Sequence, residues 1–304
     1  MTVPMIIDTD PGVDDAVALM LAAASSEVQL LAVTTVYGNV GLEVTTANAL
    51  RLRAFAGLDH VPVAAGAARP LVDPQHQPAG FKHGVDGLGG RADLLPDPIG
   101  PIEARGAVAL TRDLLQAAAA PVTLVAIGPL TNIALLLAAH PEVRPWIDRI
   151  VIMGGHFGGL PAESNIRADP EAARRVLMEE HVPITLVPLD LTQRAPVDGD
   201  WLAELAAAGP RCAALAGVIT HYRHMRRIPV ALHDSLAVLE AAVRGSLATT
   251  PMTLDVVCDH GPARGAVTVG DGGHGTDARE VRVAVDGDLP AINATILNRL
   301  RLLR

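Results

Sequence analysis

Aromatic side chains are nearly missing from this chain: three phenylalanines, two tyrosines and two tryptophans in 304 residues. Its core must therefore be built from Ala, Val, Leu and Ile. Lysine is scarcer still, with Lys82 standing alone. Arginines are scattered, pairing only at Arg174-Arg175 and Arg226-Arg227, and the net charge is −9. An acidic protein without a basic stripe makes a poor partner for a polyanion, so a nucleic-acid polymer is disfavoured and a small neutral substrate is not. The two cysteines, Cys212 and Cys258, lie far apart in dissimilar contexts. That argues against a disulfide framework and makes the cytoplasm the default compartment. Apolar runs such as Val122–Ile127 and Ile133–Ala139 are too short to span a bilayer. No basic segment followed by a long apolar one is visible near the start, so neither secretion nor membrane attachment is expected.

What is present alternates. Strand candidates are Met5–Ile7, Gln29–Val36, Val61–Ala64, Val122–Ile127, Arg149–Met153 and Ile184–Val187. Helix candidates between them are Asp14–Ala24, Glu43–Gly57, Ile102–Ala118, Asn132–Ala139 and Pro170–Glu180. The alternation predicts an α/β fold: an open, doubly wound, mostly parallel sheet with helices on both faces. Additional C-terminal helices (Asp200–Ala208, Arg211–Arg226, Asp234–Val243) and a few short strands (Met252–Val257, Ala266–Thr268, Val281–Val285) should follow. Asp288 and Pro290 read as the cap and first turn of a last helix. No linker divides the chain, so one domain over 1–304 is expected. The longest irregular piece, Gly66–Gly100, is rich in Gly, Pro, Asp and His, and a loop of that length is usually functional.

Four aspartates crowd the turn after the first strand: Asp8, Asp10, Asp14 and Asp15, around Pro11-Gly12. Carboxylates so close repel one another unless a cation neutralises them, and hard oxygen donors suit Ca²⁺ or Mg²⁺. One or two could be helix caps; four fit that explanation poorly. Ligands bind at the carboxyl ends of parallel strands, so the later strand-end loops belong with this one: Tyr37-Gly38-Asn39, Ile127-Gly128-Pro129-Leu130-Thr131-Asn132 and Met153-Gly154-Gly155-His156. Glu163-Ser164-Asn165 offers a carboxylate and an amide for vicinal hydroxyls, ahead of a plain N-cap at Asp169-Pro170. Leu232-His233-Asp234 adds a further carboxylate beside an acid.

These segments together resemble the inosine-uridine preferring nucleoside hydrolases. The resemblance rests on Asp8-Thr9-Asp10-Pro11-Gly12-Val13-Asp14-Asp15-Ala16, His83-Gly84-Val85-Asp86-Gly87-Leu88-Gly89, Gly128-Pro129-Leu130-Thr131-Asn132, Met153-Gly154-Gly155, Glu163-Ser164-Asn165 with Asp169-Pro170-Glu171-Ala172, and His233-Asp234, in the family's order from end to end. It implies hydrolysis of the N-glycosidic bond of ribonucleosides to free base and ribose, with a bound Ca²⁺, in a homodimer or homotetramer. By position it implies that Asp10, Asp15, Asp234 and the backbone carbonyl of Ile127 hold the metal. Asp10 then activates the bound water, and Asp14, Asn39, Glu163 and Asn165 hold the ribose. His233 is the expected acid for the departing base, with His83 assisting; Tyr222 and Phe157 are candidate stacking partners. Between Gly155 and Glu163 the chain is shorter than the family pattern and lacks the Asn that contacts the ribose 5′-hydroxyl.

The chemistry is coherent in itself. Breaking the C1′–N bond builds positive charge on the sugar, and a carboxylate floor stabilises that charge more than it does the neutral substrate. Two rivals remain at this stage. An aspartate phosphatase also carries Asp-x-Asp at a strand end, but needs a cation for phosphate, for which Lys82 looks misplaced. A Ca²⁺-dependent nucleoside or sugar binder would bind without turnover.

Overall fold

The computed structural model describes residues 2–73, 80–227, 229–270 and 279–303. Six strands form the parallel centre: β1 (Val3–Thr9), β2 (Val28–Thr35), β3 (Val63–Ala65), β4 (Val122–Ala126), β5 (Ile147–Met153) and β6 (Ile184–Val187). A two-residue pair follows, β7 (Pro196–Val197) with β8 (Val230–Ala231). Then come β9 (Ala248–Val256), β10 (Val267–Val269) and β11 (Glu280–Asp286). The nine-stranded sheet runs β10-β9-β11-β6-β5-β4-β1-β2-β3. β11 joins β6 in parallel, whereas β9 and β10 are antiparallel additions at that edge. This is the expected doubly wound α/β arrangement.

Every residue of β4 is buried, because apolar layers cover both faces of the sheet. One layer carries α1 (Val13–Ala24) and α2 (Leu42–Ala56), and the other α4 (Ala107–Ala117) and α5 (Thr131–Ala139). Such a strand reads as a continuous apolar run, which is why Val122–Ile127 stood out in the sequence. A short helix, α3 (Gly80–His83), lies in the long irregular segment that links α2 and β3 to α4. The predicted helix Ile102–Ala118 starts late, at Ala107, since Gly106 takes φ 74° and breaks the pattern. Pro170–Glu180 divides into α7 (Pro170–Arg174), after the short α6 (Ser164–Ala168), and a wider turn over Arg175–Glu179. Then come α8 (Leu189–Thr192), α9 (Gly199–Ala207), α10 (Pro210–Arg226), α11 (His233–Ala242) and α12 (Leu289–Leu300). Asp169 and Asp288 cap α7 and α12 through Ala172 N–H and Ala291 N–H, as their positions before proline imply. Among the described residues no helix is long and apolar enough to cross a membrane.

Strand order reverses beside β1: β2 and β3 extend to one side, β4 to β6 to the other. Such a switch point opens a crevice at the strands' carboxyl ends. The Asp loop after β1 and Ile127 after β4 both lie there.

Candidate active site

The aspartates separate into two groups. Asp8 points to the opposite side of β1, where Thr34 Oγ1 (2.5 Å) and Asn132 Nδ2 (2.8 Å) donate to it. Burial raises its carboxyl to about 7. The reading of four aspartates as one cluster is therefore corrected: within β1 Asp8 faces away from Thr9, which bonds Asp15, and toward Ile6, Leu124 and Asn132, whereas Asp10 lies past the end of the strand. This also removes the first Asp of Asp-x-Asp from the crevice, where a phosphatase would need it.

Asp10, Asp14 and Asp15 do meet. Asp14 and Asp15 occupy the first turn of α1, where the helix end favours negative charge. Thr9 Oγ1 (2.5 Å), Gly12 N–H (2.9 Å) and Asn39 Nδ2 (3.2 Å) all donate to Asp15. Asp234, in the first turn of α11, completes a trio with Asp14 and Asp15 whose oxygens lie within 4.8 Å of one another. Asp10 Oδ2 accepts from Asn39 N–H at 2.6 Å, while its Oδ1 is buried with no partner. Burial, together with the neighbouring carboxylates, raises Asp10 and Asp234 well above the ordinary range and Asp15 to about 7. A Cβ on Gly38 would collide with Asp10 Oδ2, and one on Gly128 would lie 2.7 Å from Oδ1. Two glycines thus hold the Asp10 carboxylate in place.

The sugar-holding candidates are partly committed to the fold. Glu163 caps α6, accepting from Asn165 N–H, Ile166 N–H and Gly155 N–H. Asn165 Nδ2 donates to the carbonyls of Ile127 (3.0 Å) and Met153 (3.2 Å). Its Oδ1 is left to accept from a hydroxyl, and the Ile127 carbonyl keeps a second lone pair for a cation.

A cavity of about 240 Å³ brings together Asp14, Asp15, Asn39, His83, Ile127, Glu163, Asn165, His233 and Asp234. His83 Nδ1 accepts from Val13 N–H at 3.2 Å, and its ring stacks on Tyr222 with centroids 5.3 Å apart. Tyr222 is thus already stacked within the protein. Phe157 packs away from the cavity, and His156 pairs with Asp190 at 3.1 Å. His233 Nδ1 lies 2.7 Å from Thr192 Oγ1, which fixes the ring. Burial lowers both His83 and His233. Lys82 and Arg226 line the same cavity, which corrects the reading of Lys82 as misplaced; sequence reasoning gives Arg226 no role. Lys82 adjoins His83, and that proximity was the available signal.

A profile described as "Inosine-uridine preferring nucleoside hydrolase" matches residues 5–294. The chain is 40% identical over 309 residues to a non-specific ribonucleoside hydrolase, RihC, of Escherichia coli O1:K1, covering 99% of each. Among solved structures it is similar to the plant nucleoside hydrolase PpNRh1 (TM-score 0.89, 30% identity, 99% of each chain). It is equally similar to a purine-preferring ribonucleoside hydrolase from Gardnerella vaginalis (TM-score 0.89, 29% identity, 99% and 98% of the two chains).

Proposed function

The chain belongs to the inosine-uridine preferring nucleoside hydrolase family and is a ribonucleoside hydrolase, and from that premise we propose how its own residues carry the reaction. The observation that carries the reading is the convergence at the switch point of buried carboxylates, one with an oxygen left without a partner. Buried like charges with spare oxygens fit a divalent cation and little else. Asp10, Asp15, Asp234 and the Ile127 carbonyl would hold it, with Asp14 adjoining, and an all-oxygen set favours Ca²⁺. Such a cation supplies Lewis acidity toward water and the vicinal ribose hydroxyls.

The remaining work falls to side chains. Asp14, Asn39 and Asn165 Oδ1 orient the ribose, with Glu163 shaping the loop around it. Asp10 takes a proton from the attacking water. As the C1′–N bond breaks, its electron pair passes to the base nitrogen, and His233 supplies a proton to the departing base, assisted by His83. Water's hydroxyl ends on C1′, so ribose and free base are the products. The cytoplasmic setting and the homodimer or homotetramer implied by the resemblance belong to this proposal as well.

Incubation with inosine and uridine is expected to release reducing sugar. Binding without free ribose would favour a sensor, and phosphate release from a sugar phosphate would favour a phosphatase.

Stability should follow pH in a direction set by the buried acids. Asp8 and Asp15 hold their protons to about pH 7 in the folded state, against 3.8 ordinarily. Their stabilising contribution is complete below the unfolded value and is lost as pH rises through about 7. Metal-free protein should therefore melt lower at pH 8 than at pH 5.5, by roughly 5 °C. Added Ca²⁺ should raise the melting temperature more at pH 8, where its ligands are already deprotonated. Calcium-independent melting curves in chelator-treated protein would refute the cation site.

A further inference from the structure

Lys82 has no role in the reaction as derived above, yet its position is unusual for the only lysine in an acidic chain. It lines the cavity at the end of α3 and is half-buried, and among the described residues its one hydrogen bond goes to Ser164 Oγ. Among those residues no carboxylate lies within ion-pair reach of it. Glu163, the nearest acid in charge terms, has both oxygens taken by backbone N–H groups. An ammonium has three donors, so two remain for something in the cavity. Its surroundings say where. Ser164 stands between Glu163 and Asn165, the ribose side. His83, the next residue, and His233 share the cavity and feel the Lys82 charge. Lys82 thus lines one cavity with both the sugar-holding loop, which it touches at Ser164, and the two imidazoles. Arg226, hydrogen-bonded to Tyr222, presents a second cation to the same cavity.

We propose that Lys82 binds the leaving nucleobase, its ammonium donating to the base oxygen or nitrogen on which negative charge builds as the C1′–N bond breaks. The proposal rests on the nucleoside hydrolase reading and adds a residue to it. Lys82 transfers no proton in this scheme: the electron pair still goes to the base and the proton still comes from His233. The cation acts on charge that exists only as the bond breaks, so it lowers the barrier without tightening ground-state binding. Partial burial, which pulls the ammonium below its usual range, also reduces the water that would screen it.

The experiment measures kcat/KM of wild type, Lys82→Met, Lys82→Arg and His233→Ala on 4-nitrophenyl riboside, uridine, cytidine and 5′-deoxyuridine. Lys82→Met should lose about 100-fold on uridine, as removal of one charge-stabilising donor does. It should lose more on cytidine, whose base is the poorer leaving group, and little on the nitrophenyl riboside. Lys82→Arg should recover much of the loss, whereas a merely space-filling role would leave Met at least as good as Arg. Uniform loss across the series would overturn the proposal. So would a Lys82→Met variant that no longer distinguishes uridine from 5′-deoxyuridine, since Lys82 would then hold the 5′-oxygen. A wild type that cleaves no nucleoside, with the nitrophenyl riboside also intact, would overturn the functional reading itself. Wild-type turnover with a flat Lys82→Met profile would overturn this inference alone.

Discussion

Asp10→Asn is expected to reduce kcat on inosine and uridine by about 1,000-fold or more, because in the proposed mechanism it removes the proton acceptor and a charged cation ligand together. The fold should survive. Asn Oδ1 can still accept from Asn39 N–H, as Asp10 Oδ2 does at 2.6 Å, and the side chain keeps its size between Gly38 and Gly128. The substitution also removes a buried charge that Asp15 and Asp14 repel. Metal-free Asp10→Asn protein should therefore melt no lower than metal-free wild type at pH 8, and its gain on adding Ca²⁺ should shrink. Circular dichroism melts beside a reducing-sugar assay check both halves. Turnover within about tenfold of wild type would remove Asp10 from the chemistry.

His233→Ala should act through the leaving group. A loss of about 100-fold to 10,000-fold is expected on inosine and uridine, the usual range for a positioned acid. A 4-nitrophenyl riboside, which departs without a proton, should change little. The contact at 2.7 Å between His233 Nδ1 and Thr192 Oγ1 holds the ring so that Nε2 is the atom available to the substrate. Equal losses on both substrate types would show that His233 is not the acid. The Lys82 and His233 effects separate on a further axis: Lys82→Arg should rescue charge stabilisation, whereas no cation at position 82 replaces the proton that His233→Ala removes.

Much of this architecture was legible in the sequence because the strands concerned are buried on both faces. Val122–Ala126 and Ile184–Val187 are β-branched and apolar runs, each broken only by a threonine and bounded by turns, and the structure places strands there almost residue for residue. Where a terminus depends on one backbone angle, as at Gly106, the apolar pattern ran past it. The β7–β8 pair was invisible, since two residues per strand carry no periodicity. In the site, crowding of Asp10, Asp14 and Asp15 on a strand-to-helix turn was readable. Asp8 was misjudged because nothing in the sequence marks where β1 ends, with Asp8 still inside the sheet and Asp10 beyond it. Lys82 looks misplaced in the sequence although its neighbour His83 hints at the site, and Arg226 goes unread because nothing about a cation near a helix end tells which cavity it enters. The commitments of Glu163 and Asn165 to backbone groups also appear only once β4, β5 and α6 are brought together.

The three clustered acids come from opposite thirds of the polypeptide, Asp14 and Asp15 from α1 and Asp234 from α11, which packs along α1. During synthesis on the ribosome, the first two emerge long before the third exists. A nascent chain ending ahead of α11 has no complete set of oxygens to offer an ion. If the trio holds a cation as proposed, capture waits until the last third docks, which would make ion uptake a report on completed folding rather than a nucleus for it.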